Sequence, residues 1–205
     1  FTTIGTIVCI YIILSLSLNI ISGYAGQASL GHAAFFGIGA YASALLTLKA
    51  SINFWASLPL AMIVAGMIGA LVGVISLRIK GDFLAVTTIG INFVIVTVFE
   101  YSDFFGGAYG IMGIQYPMLF GLKISKVYYL LMAAGFVALS ALFNLLVSKS
   151  WLGLALETIR EDEDAAEPSG INCAKFKIIA FAFGCAWAGV IYAHFMRFIT
   201  PNDFT

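Results

Sequence analysis

Six carboxylates crowd into one short stretch of this chain. The sequence LETIREDEDAAEPSG, residues 156–170, contains six of the ten acidic residues, all between Glu157 and Glu167. If the stretch is helical it is amphipathic, because apolar and acidic residues fall on opposite sides. The apolar side comprises Leu152, Leu154, Ala155, Ile159 and Ala166, and the acidic side Glu157, Glu161 and Asp164. Anionic lipid attracts Lys and Arg instead, so we expect this surface to bind a protein. A solvated loop that carries charge only for topology is the alternative.

Pro168 and Gly170 predict the end of this acidic helix. Pro168 lacks a backbone N–H and should stop or kink the helix. Gly170 can adopt the left-handed turn that leads into the next segment.

The other reactive residues indicate no enzyme chemistry. Cys9, Cys173 and Cys185 lie in or near apolar runs, with no CxxC pair and no His at metal-ligand spacing, so neither a disulfide nor a metal site is expected. No GxxxxGK[ST] phosphate loop occurs, so any ATP hydrolysis belongs to another polypeptide. His32 could relay protons, but a backbone hydrogen bond is the more ordinary role for such a histidine. We expect no cofactor and no catalytic residue.

Composition places the chain in a membrane. Hydrophobic residues make up 61% of its 205 residues and charged residues 10%, whereas roughly 25% charged is typical of soluble domains. The mean hydropathy is +1.03. The net charge is zero and the basic residues are scattered, which excludes a nucleic-acid footprint.

Apolar runs predict an all-α, polytopic transmembrane helix bundle with about six spans. A helix needs about 20 apolar residues to cross a hydrocarbon core. The expected spans are residues 4–21, 22–46, 54–77, 83–101, 127–147 and 176–198. Five glycines interrupt the second, which predicts a broken or closely packed helix, and Gly69 with Gly73 offers a GxxxG face in the third. Residues 103–117 are predicted to form a glycine-rich loop or re-entrant segment.

We treat residues 1–205 as one transmembrane domain. The chain begins without Met and stops just past an apolar run, so we expect a fragment trimmed at both ends. Asp82, Glu100 and Asp103 fall near predicted span ends, where water can reach them.

The distribution of Lys and Arg bears on orientation. With the acidic stretch in the cytoplasm, six basic residues lie inside and four outside, which weakly favours that orientation. The inner set is Arg78, Lys80, Lys149, Arg160, Lys175 and Lys177, and the outer set is Lys49, Lys123, Lys126 and Arg197.

The glycine-rich block GYAGQASLGHAAFFGIGAY, residues 23–41, is a candidate polar passage through the bundle. Glycines expose carbonyls where a helix breaks, and irregular backbone at membrane depth survives only beside protein or water. The candidate path residues are Gly23, Gly26, Gln27, Ser29 and His32. Simple helix packing by the glycines is the alternative.

Four blocks carry a resemblance to a known family. They are LNIISGYAGQASLGHAAFFGIGAYASALL (18–46), RIKGDFLAVTTIG (78–90), GGAYGIMGI (106–114) and IREDEDAAEPSGINCAKFKIIAFAFGCAWAG (159–189). In this order they resemble the LivM-type permease subunits of bacterial branched-chain amino-acid ABC importers. Together they cover about half of the chain.

The resemblance implies a non-enzymatic, multi-pass subunit of the bacterial inner membrane. It implies cytoplasmic ATP-binding subunits, a second permease subunit in a heterodimer and an external substrate-binding protein as partners. Residues 151–172 would be the cytoplasmic coupling loop. Its implied ATPase-coupling residues are Glu161, Glu163, Asp164, Ala165, Ala166 and Gly170.

Two departures from the family pattern stand out. Pro168 replaces a helix-compatible residue, and the loop that resembles TGGPNG here runs from Phe105 to Gly110 without its threonine, proline or asparagine. Relatives that carry urea or amides leave the substrate open. The rival class is an ion-gradient-driven transporter or channel, which would need buried charges at mid-membrane depth.

Overall fold

The computed structural model describes residues 2–77, 79, 82–114, 118–119, 122–123, 126–188, 198–199 and 201–204. Its helices are α1 Thr2–Leu18, α2 His32–Leu48, α3 Phe54–Ser76, α4 Asp82–Tyr101, α5 Lys126–Ser148, α6 Trp151–Glu161, α7 Glu163–Ala166 and α8 Cys173–Trp187. A π-helix, Asn19–Tyr24, continues α1. The predicted helical bundle is confirmed.

Within the described part of the chain, four helices are long and apolar enough to cross a membrane. They are Thr2–Tyr24, which includes the π-helix, Phe54–Ser76, Phe83–Tyr101 and Val127–Ser148. The second predicted span is shorter, because α2 contains 17 residues. The sixth predicted span, 176–198, is described as helix only to Trp187, and residues 189–197 lie outside the described part.

Small strands supplement the helices, which the sequence did not predict. β1 Ile111–Met112 pairs antiparallel with β4 Phe198–Ile199, and β2 Met118–Leu119 pairs with β3 Leu122–Lys123. They lie at the end of the bundle where α4 ends and α5 begins.

Glycines bring α3 and α8 into backbone contact. A Cβ on Gly69 would lie 2.5 Å from the Cys185 Cβ and 2.7 Å from the Phe181 carbonyl oxygen, and one on Gly73 would lie 3.0 Å from the Ile178 Cα. The predicted GxxxG face is therefore confirmed. Lipid supplies no hydrophobic drive to join helices, so such close approach is a main source of their adhesion.

Helix α8 also contacts α1 closely. A Cβ on Gly184 would lie 2.6 Å from the Ile21 side chain and 3.1 Å from the Ser17 carbonyl oxygen. Helix α8 thus lies between α1 and α3, and the buried Phe181 and Cys185 belong to the main apolar core.

The glycine-rich block is broken, as predicted. Residues 22–24 end the π-helix, residues 25–31 are irregular, and α2 begins at His32. The block is therefore not one span: it divides between the end of the first helix, a non-helical link and the second helix.

The glycine-rich loop lies at the opposite end of the bundle. Residues 103–105 and 107–109 form 3₁₀ turns, and several glycines there have positive φ. Lys49 at the end of α2 donates a 2.8 Å hydrogen bond to the Phe104 carbonyl. The prediction of a loop is confirmed for residues 103–114, and residues 115–117 lie outside the described part.

Some charged residues behave as predicted. Glu100 and Asp103 are exposed near span ends. Arg78, Lys80, His194 and Arg197, and the side chain of Asp82, fall outside the described part of the chain.

The α3–α8 contact yields a matched pair of substitutions. Gly69→Ala should lower the free energy of unfolding by about 1–3 kcal/mol, because its methyl group meets the backbone of α8. Gly135→Ala in α5 is the control, since nothing lies within 4 Å of its added Cβ. Thermal denaturation in detergent, followed by size-exclusion chromatography, measures both. Equal midpoints would contradict the packing role of Gly69.

Candidate functional site

The acidic segment, residues 151–172, folds as two short helices rather than one. Ser150 caps α6 by accepting a 3.3 Å hydrogen bond from the Gly153 N–H. At Asp162 the backbone is extended, with φ −156° and ψ 106°, and its carboxylate accepts from the Asp164 and Ala165 N–H groups. An aspartate cap satisfies the N–H groups that a helix start leaves free. The helix therefore breaks at Asp162, six residues before Pro168.

One side of the acidic segment is packed against the bundle. Ala155, Leu156, Ile159 and Ala166 are buried. Leu154 is 56% exposed, so its predicted place on the apolar side was wrong, and Leu156 takes that place instead. Leu152, Ala155, Leu156 and Ile159 follow the i, i+3, i+4, i+7 spacing of one helix face, and Leu154 lies off that face.

The predicted acidic side is exposed at Glu161 and Asp164 but half-buried at Glu157. Ala165 is exposed, and Ala166, which was predicted on the apolar side, is fully buried. Gly170 has φ +86°, which confirms the predicted left-handed turn. Of the two alanines in the coupling motif, only Ala165 faces outward.

Glu163 forms an ion pair with a buried lysine. Its Oε1 lies 2.6 Å from the Lys177 Nζ of α8, and the side chains are 31% and 4% exposed. A buried ammonium without a partner is strongly unfavourable, so this carboxylate allows Lys177 to lie inside the bundle. Glu163 therefore has a structural bond that its sequence context did not predict.

Cys173, the first residue of α8, packs against the acidic segment. It packs with Ala155, Ile159 and Ala166 in a small apolar cluster. Burial raises the pKa of the Cys173 thiol, and the Glu163 and Glu167 carboxylates raise it further. The thiol is therefore neutral at physiological pH, in keeping with the filler role expected from the sequence.

Arg160 connects the acidic segment to the candidate path. Its Nη1 donates a 2.8 Å hydrogen bond to the Gly23 carbonyl, and its Nη2 contacts the Glu161 carboxylate at 3.2 Å. A Cβ on Gly26 would lie 2.5 Å from the Arg160 Cγ, and Gly26 has φ +63°. Only glycine tolerates both conditions well.

Apolar contacts reinforce this junction. Leu156 of α6 is fully buried beside Ile20 of the π-helix, Ala25 at the start of the irregular segment and Ala180 of α8. The acidic segment thus touches both the π-helix and α8.

Asn19 and Asn144 hold the π-helix against α5. The Asn19 Nδ2 donates to the Asn144 Oδ1 at 3.2 Å, and the Asn144 Nδ2 donates to the Leu16 and Ser140 carbonyls at 3.2 and 3.0 Å. The Tyr24 hydroxyl donates to the Asn144 carbonyl at 3.3 Å. Polar bonds of this kind are effective between helices in lipid.

The irregular segment, residues 25–31, is tied to α4. The Leu30 N–H donates to the Thr88 Oγ1 at 3.1 Å. Gly31 packs so closely on the Thr88 carbonyl that an added Cβ would overlap it. A residue with a side chain would not fit at position 31 without displacing the Thr88 backbone.

The polar path candidates lie together but differ in exposure. His32 Nε2 shares a 2.7 Å hydrogen bond with the Ser17 Oγ, a side-chain partner and not the backbone partner expected from sequence. Ser29 is buried, Gln27 is half-buried, and Gly26 is exposed. The glycines at 23, 26 and 31 all make tight contacts, so packing accounts for them directly.

Apolar spanning helices, glycine-mediated packing and a charged segment folded at one end define a polytopic α-helical membrane protein. Residues 1–205 match the model of a family described as the branched-chain amino acid transport system / permease component. The chain belongs to this permease family.

Named relatives agree with this assignment. The chain is 34% identical over 230 residues to the high-affinity branched-chain amino acid transport system permease protein LivM of Salmonella typhimurium, covering 98% of this chain and 54% of that protein. The Escherichia coli protein of the same name is 33% identical with the same coverage. A probable LivM of Methanocaldococcus jannaschii is 29% identical over 242 residues, covering 96% of this chain and 68% of that protein.

The chain spans about half the length of the two bacterial relatives. The relatives carry the name permease, and none is named as an enzyme. No solved structure matches the chain.

Sequence reasoning missed the residues that join the site together. Lys177 and Arg160 were counted only for orientation, and Asn144 and Thr88 looked like isolated polar residues in apolar runs. The available signal was the rarity of such side chains within a span. Their partners could not be read from the sequence, because each is distant along the chain.

The ion pair of Glu163 and Lys177 predicts unequal effects of its two halves. Glu163→Gln leaves a buried ammonium unpaired and should lower stability by about 3–5 kcal/mol. Lys177→Met leaves only a carboxylate that water already reaches, so its loss should be smaller. Glu161→Gln, in an exposed pair, should change stability by about 0–1 kcal/mol. Denaturation midpoints in detergent rank the three, and a larger loss for Lys177→Met would contradict the burial argument.

Proposed function

We propose that this chain forms part of the translocation path of an ATP-driven importer of branched-chain amino acids. Membership of the permease family supports the transport role, and the names of the relatives support this substrate class. A subunit of this kind provides a path and a dock, while ATP is hydrolysed on separate subunits.

The observation that carries the proposal is the fold of residues 151–172. Its inner face is fixed to the bundle by Leu156, Arg160 and the ion pair of Glu163. Its outer face presents Glu161, Asp164 and Ala165. A segment that is rigid on one side and exposed on the other can transmit the motion of a docked partner.

The proposed coupling residues therefore divide into two groups. Glu161, Asp164 and Ala165 contact the ATP-binding subunit, while Glu163, Ala166 and Gly170 shape and hold the segment. This division refines a role that the family resemblance assigned to all six together.

The proposed path runs beside the irregular segment. Residues Gln27, Ser29 and His32 supply polar groups there, close to the π-helix and α4. Irregular backbone next to a binding site is a recurrent arrangement in transporters.

The proposed assembly lies in the bacterial inner membrane with the acidic segment in the cytoplasm. It contains two cytoplasmic ATP-binding subunits, a second and different permease subunit, and an external binding protein that delivers substrate. This orientation places the start of α1 and the glycine-rich loop outside.

The rival transporter driven by an ion gradient receives no comparable support. Among the described residues, Lys177 is the one buried charged side chain, and Glu163 neutralises it. Because Glu163 belongs to the acidic segment, this ion pair serves to anchor that segment to α8.

Substituting the exposed alanine tests the dock. Ala165→Trp should reduce co-purification of the ATP-binding subunits by about tenfold or more, because a bulky side chain blocks close docking. Ala108→Trp is the matched control, since Ala108 is also exposed but lies at the opposite end of the bundle. Full co-purification with Ala165→Trp would contradict the proposed dock.

Labelling tests the orientation, and uptake tests the substrate. A cysteine placed at Asp164 in the full-length protein should react with a membrane-impermeant thiol reagent in inside-out vesicles and not in intact spheroplasts. Reaction in spheroplasts would exclude ATPase docking at this segment. Labelled leucine should enter a deletion strain that expresses the protein, and uptake of urea or amides instead would reassign the substrate.

A further inference from the structure

Two buried polar atoms, one in the irregular segment and one in the residue that follows it, lack partners. The Ser29 Oγ and the His32 Nδ1 are buried, and neither has a hydrogen-bond partner in the described part of the chain. The residues themselves are 4% and 5% exposed. Buried polar atoms without partners are unfavourable, so uncovering them to water or a polar ligand is favourable for these two groups.

Few hydrogen bonds hold residues 25–31 in this conformation. The Leu30 N–H is bonded to Thr88, and the Gln27 N–H donates to the Ile21 carbonyl at 3.1 Å. The contact with a charged donor is that of Arg160, which bonds the Gly23 carbonyl and lies over Gly26. Hydrogen bonds from a charged donor are about twice as strong as neutral ones.

The π-helix directly precedes residues 25–31 and differs from an α-helix in its hydrogen bonding. Its backbone bonds span one residue more than those of an α-helix, and such turns are frequent at functional sites. Arg160 bonds the fifth of its six residues. Movement of α6 therefore acts on the π-helix and on residues 25–31 together.

We propose that Arg160 is a positioning residue that holds residues 25–31 in the conformation in which Ser29 and His32 are buried, and that displacement of the acidic segment releases them. The inference rests on the proposed function in one respect: the docked ATP-binding subunits supply the displacement. Arg160 itself touches no substrate in this scheme.

Accessibility of a cysteine at position 29 tests the assignment. The parent is the full-length protein with Ser29→Cys and its native cysteines replaced by alanine, in inside-out vesicles with a charged methanethiosulfonate reagent. The parent should react slowly, and adding Arg160→Ala should raise the rate by about tenfold, the scale of one charge-assisted hydrogen bond. Arg160→Lys retains a donor and should restore most of the protection.

Two further variants separate the bond from general effects. Lys175→Ala removes an exposed positive charge at the same end of the bundle and should leave the rate unchanged. Gly26→Ala disturbs the same contact from the other side and should raise the rate even if Arg160→Ala fails to accumulate.

Nucleotide dependence distinguishes positioning from simple stabilisation. In the intact transporter, ATP turnover should accelerate labelling of the parent, and Arg160→Ala should react at one rate with or without ATP. Rapid labelling of the parent, equal rates with and without Arg160, or retained nucleotide dependence in Arg160→Ala would overturn the proposal. Labelling without ATP requires neither substrate nor ATPase, so its failure leaves the permease function standing, whereas lost uptake bears on that function alone.

Discussion

Backbone N–H and C=O groups inside an apolar bundle must find partners within the protein, and residues 25–31 are where this constraint is most demanding. A helix would satisfy these groups automatically, but this link is not helical. Thr88 and Ser22 supply partners to this link: the first accepts from the Leu30 N–H, and the second donates to the Gln27 carbonyl at 3.0 Å. Arg160 donates to the Gly23 carbonyl in the adjoining π-helix. The neighbouring helices are arranged so that these three side chains can reach the link.

The acidic segment is bonded to the bundle on one side and exposed on the other. Its arginine reaches the π-helix, its leucine fills the space beside Ile20 and Ala25, and Glu163 neutralises Lys177 on α8. Charge that looked wholly solvent-directed in the sequence is therefore divided between an outer face and an internal anchor. The proposed dock and the proposed path are consequently in direct contact, without an intervening element.

Composition and periodicity predicted the class of fold, the broken second span, the GxxxG face and the turn at Gly170, because each depends on local residue types. The break at Asp162 was not predicted, since an aspartate within an acidic run has no distinct pattern until its cap is seen. Leu154 was misassigned to the apolar side and Leu156 was left out of it, although both lie in the unbroken helix α6, where the i, i+3, i+4 spacing selects Leu156. The contacts of Arg160, Asn144 and Lys177 join residues far apart in sequence, and no single-sequence pattern specifies such pairs. The roles of the coupling and path residues remain proposals.

Glycine contacts hold α8 closely between two neighbouring helices. Gly69 and Gly73 allow its backbone to approach that of α3, and Gly184 allows it to approach that of the first helix. An added Cβ at these glycines would meet the Cys185, Phe181 or Ile21 side chain as well as backbone atoms, so α1, α3 and α8 form one closely packed unit. Because the ion pair of Glu163 and Lys177 joins the acidic segment to α8, a displacement of that segment acts on α1 and α3 as well.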